Sequence, residues 1–168
     1  FIAAAEHLIG EGYTNSEHLA IRGGSNGGLL VAAVSNQRPE LFGAVVCTYP
    51  LLDMLRYQQF LVASFWVPEY GSSDDSDQFA YLREYSPYHN ADTAASYPAT
   101  LYITGDGDTR VAPLHARKMA ALVQATHGET TPILLRYHTD AGHSGGQPIS
   151  QQIQEMVDTV SFLLWQVG

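Results

Sequence analysis

One cysteine, few basic residues and no long apolar run are what this chain has least of, and each scarcity removes a class of protein. Cys47 is the only cysteine, so no disulfide can form within the chain, and nothing about the redox compartment follows from it. It lies in the run Ala44-Val45-Val46-Cys47, where it reads as a buried, inert thiol and not as a nucleophile. Lys and Arg number 8 against 17 Asp and Glu, a formal net charge of -9, which argues against nucleic acid or an anionic membrane surface as a partner. No apolar segment approaches the roughly 20 residues of a membrane span. No histidine pair has H-E-x-x-H spacing and there is no cysteine cluster, so neither a metal nor a cofactor is expected. The acidic turn Gly71-Ser72-Ser73-Asp74-Asp75-Ser76-Asp77 lacks the Gly and Glu that an EF-hand loop places at its sixth and twelfth positions, and reads as solvated. Internal repeats are absent too. The opening residues Phe1 to Ile9 have no basic start and read as helix, not as a secretory leader, so a cytoplasmic location is the default expectation. A chain opening on Phe inside a helical pattern reads as a piece cut from something longer.

What is present describes one α/β domain. With 168 residues and 45% hydrophobic content the chain has room for a single real core. Four β-rich runs stand out, residues 18–22, 43–48, 100–104 and 133–137, and helical patterns separate most of them. Residues 1–9 form a first helix ended by Gly10 and Gly12, and Leu29 to Val34 a buried helix stopping before Asn36-Gln37-Arg38-Pro39. A third helix starts near Pro113 and carries Met119, Leu122 and Val123 on one face. A last helix puts Ile153, Met156, Val157, Val160 and Leu164 on one stripe, expected to lie on the sheet. Strands alternating with helices predict a mostly parallel sheet flanked by helices. Residues 51–98, rich in aromatic and turn-forming residues, break this rhythm as an excursion between two strands.

Gly23-Gly24-Ser25-Asn26-Gly27 fits G-x-S-x-G between the first strand and the buried helix, the form of a nucleophile elbow. Glycines at 23 and 27 permit the crowded turn, and the helix that follows offers free N–H groups and a positive dipole end to an oxyanion at Ser25. A serine hydroxyl needs a base, and the base needs a carboxylate to orient it. In α/β-hydrolases these follow the serine in the order Asp, then His, on loops after later strands. Asp106 and Asp108 both follow the third strand, and spacing cannot separate them; Asp140 is a further alternative, or a turn cap. Of seven histidines, His7 and His115 sit in helices, His18 opens a strand, His89 and His127 lie in polar turns and His138 ends a strand. Only His143 sits in a Gly-flanked loop after the last strand.

Together these residues resemble the catalytic domain of the prolyl oligopeptidases. The similarity is carried by Gly23 to Val31, Asn36 to Pro39, Asp53-Met54-Leu55, Trp66 to Gly71, Tyr85-Ser86-Pro87, Asp108 to His115 and Ala141-Gly142-His143, and it spans nearly the whole chain. The resemblance implies a partial α/β-hydrolase fold in which Ser25 is the nucleophile, Asp108 the triad acid and His143 the base, with Asp106 an ordinary loop residue. It implies further that the Asn26 N–H is one oxyanion donor, that Trp66 stacks on a proline ring in a pocket lined by Tyr70, Val111 and Leu51, and that Arg110 holds a substrate carbonyl. The expected substrates are short proline-containing peptides, cut after proline through an acyl-enzyme. Alternatives are an acylaminoacyl peptidase, an oligopeptidase cutting after basic residues, an esterase, or a non-catalytic fragment. The scarcity of acidic residues near the presumed pocket favours proline over basic residues. The family's β-propeller, its early strands and its second oxyanion donor, a tyrosine upstream of the elbow, have no counterpart in these 168 residues, which implies an exposed sheet edge and self-association through it.

Overall fold

The computed structural model describes residues 1–91, 96–139, 141–143 and 147–168. Helix α1 (Ile2–Gly10) leads through a 3₁₀ turn at Ser16–His18 into strand β1 (Ala20–Gly24), helix α2 (Asn26–Gln37) and strand β2 (Ala44–Thr48). The long connection that follows holds short helices α3 (Val67–Tyr70) and α4 (Ser76–Tyr85) before strand β3 (Ala99–Gly105). Helix α5 (Leu114–His127), strand β4 (Ile133–His138) and helix α6 (Ile149–Val167) complete the order. The sheet runs β1-β2-β3-β4 and is parallel throughout, with Gly24 opposite Thr48 and Thr48 opposite Ile103. This is the α/β architecture read from the alternating pattern.

Alternation along β2 divides the core. Val45 and Cys47 pack with Val31, Ala32, Met119 and Val123, putting α2 and α5 on one face, as right-handed crossovers along a steadily advancing strand order require. Ala44 and Val46 pack with Leu101, Ile103 and Phe162, which places α6 on the other face. Cys47 is fully buried and its thiol is pushed up to about 12 by burial, which keeps it protonated and inert.

Several local expectations are corrected. His18 does not open a strand: the Asn15 side chain accepts its N–H at 3.0 Å and caps a 3₁₀ turn, so β1 starts two residues later. Asn36 and Gln37 continue α2 instead of ending it, and His127 is the buried last residue of α5, stacked on Tyr97. Asp75 caps α4 through the N–H groups of Asp77 and Gln78, which gives the acidic turn a structural part. The largest correction is α6. Its apolar stripe faces away from the sheet, with exposures from 43% at Val160 to 66% at Leu164, while Thr159, Phe162 and Leu163 face inward. Apolar residues occupy both sides of this helix, so periodicity alone could not choose the side that packs. Among the described residues no helix is long and apolar enough to cross a membrane.

The elbow is crowded where strand and helix cross. A Cβ on Gly23 would lie 2.0 Å from the Gly27 carbonyl oxygen, whereas Gly27 itself has open space, so the steric demand read onto both glycines rests on Gly23. Gly23→Ala is expected to force strand and helix apart and cost about 1–3 kcal/mol in urea unfolding. A variant as stable as the parent would mean that the turn yields more easily than this contact allows.

Candidate active site

Because all four strands run the same way, the turns that follow them meet along one edge of the sheet. Ser25 follows β1 at φ 56 and ψ -120, a left-handed backbone rarely taken by a side-chain-bearing residue. Its N–H donates to Thr48 O at 2.8 Å, and its carbonyl accepts from Gly28 and Leu29, so the strained residue is held from both sides. Asn26 is the first residue of α2, where a backbone N–H has no acceptor within the helix.

After β3 the chain turns through Asp106 and Asp108, and here the structure separates them. Asp106 accepts from the Tyr137 hydroxyl on the exposed side. Asp108 is 3% exposed; its Oδ1 accepts from the N–H groups of Arg110 and Val111 at 2.9 Å each, and its Oδ2 lies 2.7 Å from His143 Nδ1. A carboxylate only accepts, so Nδ1 carries the proton and Nε2 of the neutral ring is free to act as a base. The two loops are stitched together where the Gly107 N–H donates to Ala141 O at 3.0 Å. The alternative acid, Asp140, lies outside the described residues, as do residues 144–146 of the His143 loop.

A cavity of about 180 Å³ opens beside Ser25, lined by Asn26, Leu51, Trp66, Glu69, Tyr70 and Arg110. Drug-sized ligands occupy sites of roughly 300–1,000 Å³, so this one suits a single small side chain or ring. The Arg110 guanidinium sits 5.4 Å over the Trp66 ring, and the Tyr70 hydroxyl donates to Asn26 Oδ1 at 2.9 Å, fastening the pocket to the elbow. Burial raises the Tyr70 phenol, which keeps it a donor. Val111 does not line the cavity: at 2% exposure it packs with Leu51, Leu29 and Met54 behind it. Glu69 is the residue missed, and it corrects the expectation of a pocket without acidic neighbours. Its spacing from Trp66 and Tyr70 in a single helical turn was the available signal.

The segment carrying Leu51 is anchored by a buried charge. Asp53, 1% exposed, accepts from Lys118 at 2.5 Å and Arg56 at 2.7 Å; burial alone would raise its carboxyl, but these two partners hold it below its usual value. His115 Nδ1 accepts the Asp53 N–H at 3.1 Å, and burial holds this imidazole neutral, down to about 4.

The sequence model of the prolyl oligopeptidase family matches residues 1–168. The chain belongs to the prolyl oligopeptidase family. The prolyl endopeptidase of Dictyostelium discoideum is 46% identical over 165 residues, covering 96% of this chain and 22% of that protein. That of Elizabethkingia meningoseptica is 43% identical over 169 residues, covering 100% and 24%. A solved prolyl endopeptidase superposes with a TM-score of 0.95 at 48% identity, covering 99% of this chain and 25% of its own. The chain thus spans about a quarter of the length of these prolyl oligopeptidase relatives.

Proposed function

We propose that this chain is the C-terminal catalytic part of a longer serine peptidase that cuts short peptides after proline. Ser25 Oγ attacks the carbonyl that follows the proline ring while His143 Nε2 takes its proton; His143 then gives that proton to the leaving amine. Water attacks the resulting ester by the same route in reverse, and frees Ser25. Asp108 orients His143 and stabilises the imidazolium. The Asn26 N–H and the start of α2 stabilise the oxyanion, with the second donor supplied by residues outside this chain. The observation that carries this reading is the Asp108–His143 bond at the same sheet edge as a strained Ser25 and a small pocket floored by Trp66. A flat aromatic wall suits pyrrolidine, which has no N–H to satisfy.

Glu69 in the pocket supports a second reading, cleavage after a basic residue. Arg110 stands in the same lining and opposes it by repelling a second guanidinium. The longer enzyme is expected to turn over a Z-Gly-Pro reporter at least ~100-fold better in kcat/KM than the arginyl analogue, a ratio that misfit in a small pocket can supply. Preference for the arginyl reporter, lost in Glu69→Gln, would instead support the second reading.

A further inference from the structure

One buried side chain that the proposed chemistry does not use touches His143 and is tied to the segments on both sides of it. Tyr49 is the first residue after β2, 2% exposed, at φ 47. That left-handed backbone is uncommon for a bulky residue. Its N–H donates to Ile103 O at 2.7 Å, carrying the β2–β3 ladder one step past the strand. The ring lies against the imidazole of His143, with centroids 5.6 Å apart and planes at 58°. The hydroxyl donates to Glu155 Oε2 on α6 at 2.8 Å and accepts from Gln147 Nε2 at 2.5 Å. Glu155 also faces His138 Nε2, at 3.3 Å. His138 ends β4 ahead of the His143 loop and Gln147 follows it, so this phenol ties the far end of the loop to α6 directly and meets the near end through Glu155. Burial, reinforced by Glu155, raises the phenol far above its ordinary value, and it stays a donor.

The imidazole is held covalently at Cγ and by the Asp108 bond at Nδ1, two neighbouring ring atoms, which leaves the ring able to tilt about the line through them. A contact on the ring face limits that tilt and with it the direction of Nε2. We propose that Tyr49 is a positioning residue for His143, its ring forming the wall that keeps the imidazole on Asp108 and its hydroxyl pinning the His143 loop to α6. The inference rests on the reading of His143 as general base. None of the residues lining the Trp66 cavity belongs to this network, so the proposal separates turnover from binding.

The test uses the longer enzyme with Tyr49→Val and Tyr49→Phe, a proline reporter, and the labelling rate of Ser25 by a fluorophosphonate. Tyr49→Val is expected to lower kcat on the order of 10²-fold with KM nearly unchanged, as misplacement by about 1 Å does, and to slow labelling in parallel. Tyr49→Phe keeps the wall and loses the pin, and is expected to fall about tenfold, the scale of one hydrogen bond to a charged group. A purely structural part for Tyr49 would lower the fraction of enzyme labelled at saturation and leave the rate per labelled site intact; that result, or kcat unchanged in both variants, overturns the proposal. Should Tyr49→Val fail to fold, the near-isosteric Tyr49→Phe decides by the same criteria. His143→Ala separates the two layers of the argument. If it retains wild-type kcat, the general-base reading fails and this inference with it; if it is inactive while both Tyr49 variants are unchanged, only the part given to Tyr49 fails.

Discussion

Ser25→Ala is expected to lower kcat of the longer enzyme by roughly 10⁶-fold and to abolish fluorophosphonate labelling, with KM changing little. The proposal makes Ser25 Oγ the only atom that forms the acyl-enzyme. The pocket is built mainly by Leu51, Trp66, Glu69, Tyr70 and Arg110, none of which depends on that hydroxyl. Alanine at 25 inherits the same positive φ, so the elbow keeps its shape and the loss belongs to chemistry. Removing His143 as well is expected to add almost nothing, because nucleophile and base act as one unit. The measurement is turnover of the proline reporter at high enzyme concentration, alongside active-site titration. Residual kcat above a hundredth of wild type, or persistent label, would show that the nucleophile lies elsewhere.

Asp108→Asn carries the second large effect, a fall in kcat of about 10⁴-fold. Its cause can be followed atom by atom. The N–H groups of Arg110 and Val111 both donate to Oδ1, so the amide oxygen of asparagine must take that side and its NH₂ must point at His143. Facing a donor, Nδ1 becomes the acceptor, the proton moves to Nε2, and the ring can no longer accept from Ser25. The loop geometry survives, because its two backbone bonds survive. Stability is therefore expected to change far less than activity, and comparing unfolding midpoints with kcat tests this directly. A loss below about tenfold would mean that Asp108 is not what sets the His143 tautomer.

How far the sequence could be read depended on the range of the contacts involved. The elbow was legible because Gly23, Ser25 and the flanking runs are neighbours along the chain, and the strand–turn–helix signal is local. Asp106 and Asp108 could not be told apart by spacing; they differ only in what they reach, Tyr137 for one and His143 for the other. Glu69 lines the same cavity as Trp66 and Tyr70, and its place three residues after Trp66 in one helical turn is a signal too weak on its own to separate a carboxylate in a cavity from one in solvent. Val111 is expected in the lining and lies one layer behind it, a depth that an apolar residue type does not encode. The outward stripe of α6 predicts the wrong side because its hydrophobic period is genuine and Phe162 supplies a second apolar side that is the one that packs. Tyr49 carries no local signal: its contacts come from β3, the segment after β4 and α6, which only the formed sheet brings near.

The connection between β2 and β3 supplies Leu51, Trp66, Glu69 and Tyr70, whereas Ser25, Asp108 and His143 come from the turns after the other three strands. On the proposed reading, reactivity is carried mainly by the turns and selectivity mainly by the connection, with Arg110 and Tyr49 the two residues that cross this division. Transplanting a different connection of equal end-to-end span between Tyr49 and Ala99, with Tyr49 itself retained against His143, is expected to alter which bond is chosen and leave the machinery that breaks it where it stands. This division gives the architecture a natural route to new preferences, by replacing one segment without rebuilding the sheet.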